Sequence, residues 1–226
     1  GNLLDNKFQY KFDVMNGRND SVSSPESNLR YSARAHVSLL DPEKNYGYKG
    51  TYMGKKKVLT IGAGYQMESE VAYANTDSIN NALNPTDAVD YKAWTADLFF
   101  EYPIEDLGTV TFSTAYVDYD LDDAYKGADP DGDVLGLNAQ KNGGYTKLAY
   151  MLPNTPLQVF ARMENWSFAN VNSVIGQEID WVGGGFNYYF RGQNLKATVE
   201  YSQTDFDDET VDEDFDTLTA QLQLMF

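Results

Sequence analysis

The chain contains no cysteine and a single histidine among its 226 residues. The first absence excludes a disulfide framework and thiolate metal sites. It also suits a protein that passes unfolded through an oxidising compartment. The lone histidine, His36, has no G-x-S-x-G segment to supply a positioned serine, so a nucleophilic triad is not expected. Walker loops and haem-attachment C-x-x-C-H segments are missing too, and neither enzymatic activity nor a cofactor is expected. No run approaches the roughly 18 to 20 apolar residues that a membrane-spanning helix needs. Positive charge is scarce: 17 Lys and Arg stand against 34 Asp and Glu, and the net charge of −17 argues against nucleic acid as a partner. The opening Gly1-Asn2-Leu3-Leu4-Asp5 has neither a basic region nor an apolar core, so any secretory leader is expected to have been removed.

What the chain does hold is aromatic residues, 14% of the total with 17 Tyr and 12 Phe. It also holds apolar residues at alternate positions. A mean hydropathy of −0.51 suits a soluble protein, yet it suits a transmembrane β-barrel equally well. In a barrel only every second residue of a strand meets lipid, and aromatic side chains form girdles at the two interfaces.

Period-2 alternation predicts about ten strands. They fall near residues 7–15, 29–40, 57–71, 91–102, 108–119, 144–152, 157–166, 179–190, 195–202 and 215–226. Residues 29–40 show two faces most plainly. Leu29, Tyr31, Ala33, Ala35, Val37 and Leu39 alternate with Arg30, Ser32, Arg34, His36 and Ser38. Short connections near 103–107, 153–156 and 191–194 alternate with long ones near 16–28, 72–90, 120–143, 167–178 and 203–214. Short turns on one side and long loops on the other characterise bacterial outer-membrane barrels. Residues 41–56 are longer than a turn although they lie on the short side, and the sequence offers no reason for that length. The final alternation, Leu218, Ala220, Leu222 and Leu224, closes on Phe226, which resembles the C-terminal signal that hands outer-membrane proteins to their assembly machinery. A single all-β domain over 1–226 is expected, an antiparallel transmembrane barrel.

If the apolar face meets lipid, the other face lines a lumen. Lys7, Lys11, Arg30, Arg34, Lys147, Arg162 and Lys196, with His36 beside them, then face inward. Five acids accompany them: Asp13, Asp97, Glu101, Glu164 and Glu200. The wall is mildly basic in a strongly acidic chain. Two readings fit it, a cationic ladder that favours anions and an ordinary wet wall of mixed charge. The surplus acid lies in loops, notably 118–133 and 205–216. Asp129, Asp131 and Asp133 form a candidate cation site of hard oxygen ligands, although the glycine comes too early for an EF-hand. Bridging of these loops by divalent ions to lipopolysaccharide is the more ordinary role.

Particular phrases go beyond periodicity. Gly50-Thr51-Tyr52-Met53-Gly54-Lys55-Lys56-Lys57-Val58-Leu59-Thr60-Ile61-Gly62, preceded by Leu40-Asp41-Pro42-Glu43, resembles the phosphate-selective porin O and P family. So do Gln9-Tyr10, Met15-Asn16-Gly17 and Asp97-Leu98-Phe99-Phe100-Glu101-Tyr102. The resemblance implies a 16-stranded, often trimeric outer-membrane barrel whose channel favours anions through arginine and lysine. Ten strands would then be its C-terminal part, lacking strands on the N-terminal side. Of the family's phosphate site, only Arg30 and Arg34 match as wall residues. The expected function is passive passage of small hydrophilic solutes or ions. The alternatives are a closed, non-conducting barrel binding a partner through its acidic loops, and a sheath for a redox conduit.

Overall fold

A computed structural model of the chain describes residues 1–17, 28–43, 50–73, 88–120, 140–171 and 174–225. Ten long strands dominate it: β2 (Phe8–Asn16), β3 (Leu29–Ser38), β4 (Val58–Tyr73), β5 (Ala88–Ile104), β6 (Gly108–Asp120), β7 (Gln140–Met151), β8 (Leu157–Phe168), β11 (Glu178–Gln193), β12 (Leu195–Phe206) and β13 (Phe215–Leu224). Three two-residue strands join them: β1 (Asn2–Leu3) beside β2, and the hairpin of β9 (Asn170–Val171) with β10 (Val174–Ile175). That hairpin lies inside the connection near 167–178, where the alternation predicts no strand. No helix among the described residues is long and apolar enough to cross a membrane.

All the long strands pair antiparallel with their sequence neighbours, in the order β1-β2-β3-β4-β5-β6-β7-β8-β11-β12-β13. The turns between β5 and β6 and between β7 and β8 are tight, and each uses a residue that tolerates left-handed backbone. Asp106 (φ 59°) sits between β5 and β6, and Asn154 (φ 56°) between β7 and β8. Short polar side chains make that conformation less costly than it is for other non-glycine residues.

Burial runs opposite to that of a soluble sheet. Along β4, Val58, Thr60, Gly62 and Glu68 are buried while Ile61, Tyr65 and Met67 are exposed. Buried polar residues recur on the same face: Gln9, Ser38, Thr111, Gln158, Asn187 and Ser202. The opposite face leaves Phe12, Tyr31, Trp94, Tyr116, Leu148, Phe186, Phe190 and Leu222 exposed. Strand parity keeps the two sets apart along most of the sheet, since a one-residue slip would exchange them; the register shifts between Glu68 and Ala72 in β4 and between Gln140 and Asn142 in β7.

The polar face is concave. Thr51 lies on that face and is hydrogen-bonded both to Glu101 of β5 and to Gln193 at the end of β11. Those strands are four apart in the sheet, about 19 Å if flat, so the sheet must curl around residue 51. The outer edges of β2 and β13 are not paired to each other among the described residues.

Candidate pore wall and inward loop

Parity places most of the predicted wall residues together. Lys11 and Asp13 (β2), Arg30, Arg34 and His36 (β3), Asp97 and Glu101 (β5), Lys147 (β7), Arg162 and Glu164 (β8), and Lys196 and Glu200 (β12) share the concave face. Lys7 sits in the turn just before β2. The aspartates Asp129, Asp131 and Asp133, and the terminal Phe226, lie outside the described residues.

The three arginines do not stand as bare charges. Arg34 grips Asp97 through two bonds of 2.6 and 3.0 Å. Strand β4 lies between them, and the guanidinium crosses it at Gly62. A Cβ there would fall 2.6 Å from Arg34 Nη2 and 2.8 Å from the Asp97 oxygens. The same device recurs on the other side of the trough. Arg162 Nε reaches Glu200 at 2.5 Å across β11, where Gly183 leaves room; a Cβ would come within 2.9 Å of Glu200 Oε1. Arg162 Nη1 also binds Glu164 at 2.8 Å, and its guanidinium stacks 4.6 Å from the Trp181 ring centre. Arg30 is held between Glu68, at 2.6 Å, and the ring of Tyr91.

The predicted wall lacks Glu68, although parity with Thr60 and Gly62, opposite to Leu59 and Ile61, marks it as inward. Counting it leaves six cations against six carboxylates on the concave face, with Lys7 in the turn beside it. Lys147 and Lys196 differ from the arginines. Lys147 lies 4.4 Å from the Phe160 ring centre, and among the described residues neither lysine is ion-paired with a carboxylate. Lys147 pairs in register with Arg162, whose charge Glu164 and Glu200 already balance. His36 Nε2 is buried with no hydrogen-bond partner, as are Gln158 Nε2 and Trp181 Nε1.

Residues 51–54, in the connection between β3 and β4 whose length the sequence does not explain, fold onto the concave face. Thr51-Tyr52-Met53-Gly54 turns tightly, with Met53 (φ 57°) and Gly54 (φ 72°) left-handed. The turn encloses the carboxylate of Glu101, which accepts bonds from Thr51 Oγ1 (2.6 Å), Tyr52 N (2.8 Å), Gly54 N (2.9 Å) and Thr111 Oγ1 (3.3 Å). Glu101 is 0% exposed. Strand parity sets it on the concave face, and nothing in the sequence shows its cover. The Tyr52 hydroxyl donates to Glu43 Oε1 at 2.6 Å. Burial, and then that bond and the fields of Glu43 and Glu101, push its ionisation well above the usual tyrosine range. Gln9 Nε2 donates to the Glu43 carbonyl, tying the same segment to β2.

The acidic connection between β12 and β13 spends part of its charge on its own turn. Asp214 Oδ1 accepts from Phe206 N at 2.8 Å, and Asp208 Oδ1 from Thr210 N at 2.9 Å. The Thr210 hydroxyl and amide hold the Asp208 carboxyl below its ordinary range. Among the described residues no three acids or histidines are grouped to hold a metal ion.

A sheet whose apolar side chains face outward, and whose charged and hydrogen-bonding ones line its hollow, is the wall of a transmembrane β-barrel of outer-membrane type. The family model of the phosphate-selective porin O and P matches residues 4–226, and the chain belongs to that family. No curated protein and no solved structure matched it. Membership makes it an outer-membrane porin, from a family of channels rather than enzymes, through which small solutes and ions pass.

Proposed function

We propose that the chain forms the wall of a water-filled pore that passes small hydrophilic solutes by diffusion, with a preference for anions. The observation that carries this reading is the concave face itself. It gathers six cations against six carboxylates in a chain of net charge −17, with Lys7 in the turn beside it and with Lys147 and Lys196 outside any carboxylate pair. A fixed cation replaces part of the hydration that an entering anion gives up. Arg30, Arg34 and Arg162, each neutralised by a neighbour, shape the wall more than they charge it. Lys7 and Lys11 add positive charge near the β2 edge.

The outer edges of β2 and β13, which do not pair with each other among the described residues, support closure by further strands, giving the wider 16-stranded barrel of the family, and the family assembly implies three such barrels side by side. The apolar face meets lipid, and the acidic loops meet lipopolysaccharide through divalent ions. The loop on Glu101 favours a second reading, a barrel too narrow to conduct. Single-channel recording of the full-length protein in a planar bilayer under a salt gradient decides between them. A stable conductance with an anion-selective reversal potential is expected. A silent protein, or a cation-selective one, overturns the proposal.

A further inference from the structure

Resting on the reading of this chain as a porin, we propose that Thr51–Gly54 is a fixed constriction of the turn-side mouth and that Glu101 is the positioning residue that latches it. The width of the pore is then set at this point by a loop anchored on one carboxylate, not by the circumference of the sheet alone.

The first support is the nature of the bonds to Glu101. The carboxylate is fully buried on a face where Glu68, Asp97, Glu164 and Glu200 pair with arginine, yet its partners are neutral donors. Three of the four belong to residues 51–54. A buried carboxylate is tolerated only while such donors replace its water, so carboxylate and loop hold each other in place. The second support is the span of the segment. Tyr52 meets Phe99 edge-on, with ring centres 6.2 Å apart, and Gly54 sits so close to β6 that a Cβ would lie 2.5 Å from Thr109 Oγ1. Gln193 Nε2 donates to Thr51 O at 3.0 Å from the far side of the trough. Residues 51–54 therefore bridge the hollow from β5 and β6 to the end of β11, where a solute leaving on the turn side has to pass. The third support is local. Met53 adopts a left-handed backbone that a residue with a Cβ disfavours, and the amides of Tyr52 and Gly54, on either side of it, both point at Glu101.

The test compares the full-length wild type with Glu101→Gln, Gly54→Val and Glu105→Gln in planar bilayers. Glu101→Gln removes the latch. Gly54→Val dislodges the turn by clash and strain while leaving every charge in place. Glu105→Gln deletes an equal charge from the exposed β5–β6 turn as a control. The first two are expected to roughly double the unitary conductance, which follows the open cross-section, and to add open-state noise; the control stays at the wild-type level. Thr51→Ser, which keeps the hydroxyl donor, is expected to behave as wild type, whereas Thr51→Val shifts toward the larger conductance. A conducting wild type whose conductance survives both Glu101→Gln and Gly54→Val overturns the latch and leaves the porin reading intact. A silent wild type with a conducting Gly54→Val supports the latch and overturns the open-pore reading. Silence in every variant overturns both.

Discussion

Asp97→Asn tests the electrostatics of the wall most directly. The two Asp97 oxygens lie 2.6 and 3.0 Å from the Arg34 guanidinium, so a passing ion meets a dipole there. The substitution leaves Arg34 in place as a unit charge. An ion about 6 Å away in a water-like medium gains or loses roughly 0.7 kcal/mol, which screening at about 0.1 M salt lowers to roughly 0.4. That is about a twofold local enrichment of monovalent anion and a matching depletion of cation, hence about a fourfold rise in the anion-to-cation ratio. The cost in stability is about 1 to 2 kcal/mol, discounted because the Arg34 side chain is 34% exposed although that of Asp97 is only 8% exposed. Reversal potentials in planar bilayers read the first effect and thermal unfolding of the folded protein reads the second. A potential that stays put, or moves toward cations, refutes the claim that Asp97 masks Arg34.

Gly62→Ala separates geometry from charge. It pushes Arg34 off Asp97 without altering net charge, so a loss of about 1 kcal/mol in stability with a near-native reversal potential is expected; a strong selectivity change with no loss of stability contradicts the crossing at Gly62. Lys147→Gln combined with Lys196→Gln removes the two lysines outside any carboxylate pair, and the reversal potential is expected to move toward cations. If that double variant keeps the native potential, the anion preference does not arise on β7 and β12.

The faces of the strands were legible in the sequence because parity is a local property. Leu59, Ile61, Ala63 and Tyr65 point outward as their alternation with Thr60, Gly62 and Gly64 requires, and Val182, Phe186, Tyr188 and Phe190 do the same on β11. Parity also marks Glu68, which is recovered by carrying the alternation of β4 up to the register shift that follows it. The ion pairs were not legible. Arg34 with Asp97, and Arg162 with Glu200, reach across an intervening strand, so they depend on strand order and on a glycine whose meaning appears only when its neighbours are known. The inward loop was hidden for a related reason. Nothing within residues 41–57 announces that its amides will be matched by a carboxylate some fifty positions further along the chain, at Glu101, and its Thr51 carbonyl by the side-chain amide of Gln193 beyond it.

The outward face has a consequence for how the sequence can drift. Leu148, Phe190, Leu218 and Leu222 stand exposed on that side, where fluid hydrocarbon adapts to whatever shape is offered. A larger or smaller apolar residue there opens no cavity and forces no neighbour aside, so polarity is constrained while size is not. Inward positions such as Gln158, Asn187 and Glu101 are bound by hydrogen bonds of fixed length to particular partners. Successive residues of a single strand are therefore held to different rules, and relatives of this chain are expected to vary freely at one position and hardly at all at the next.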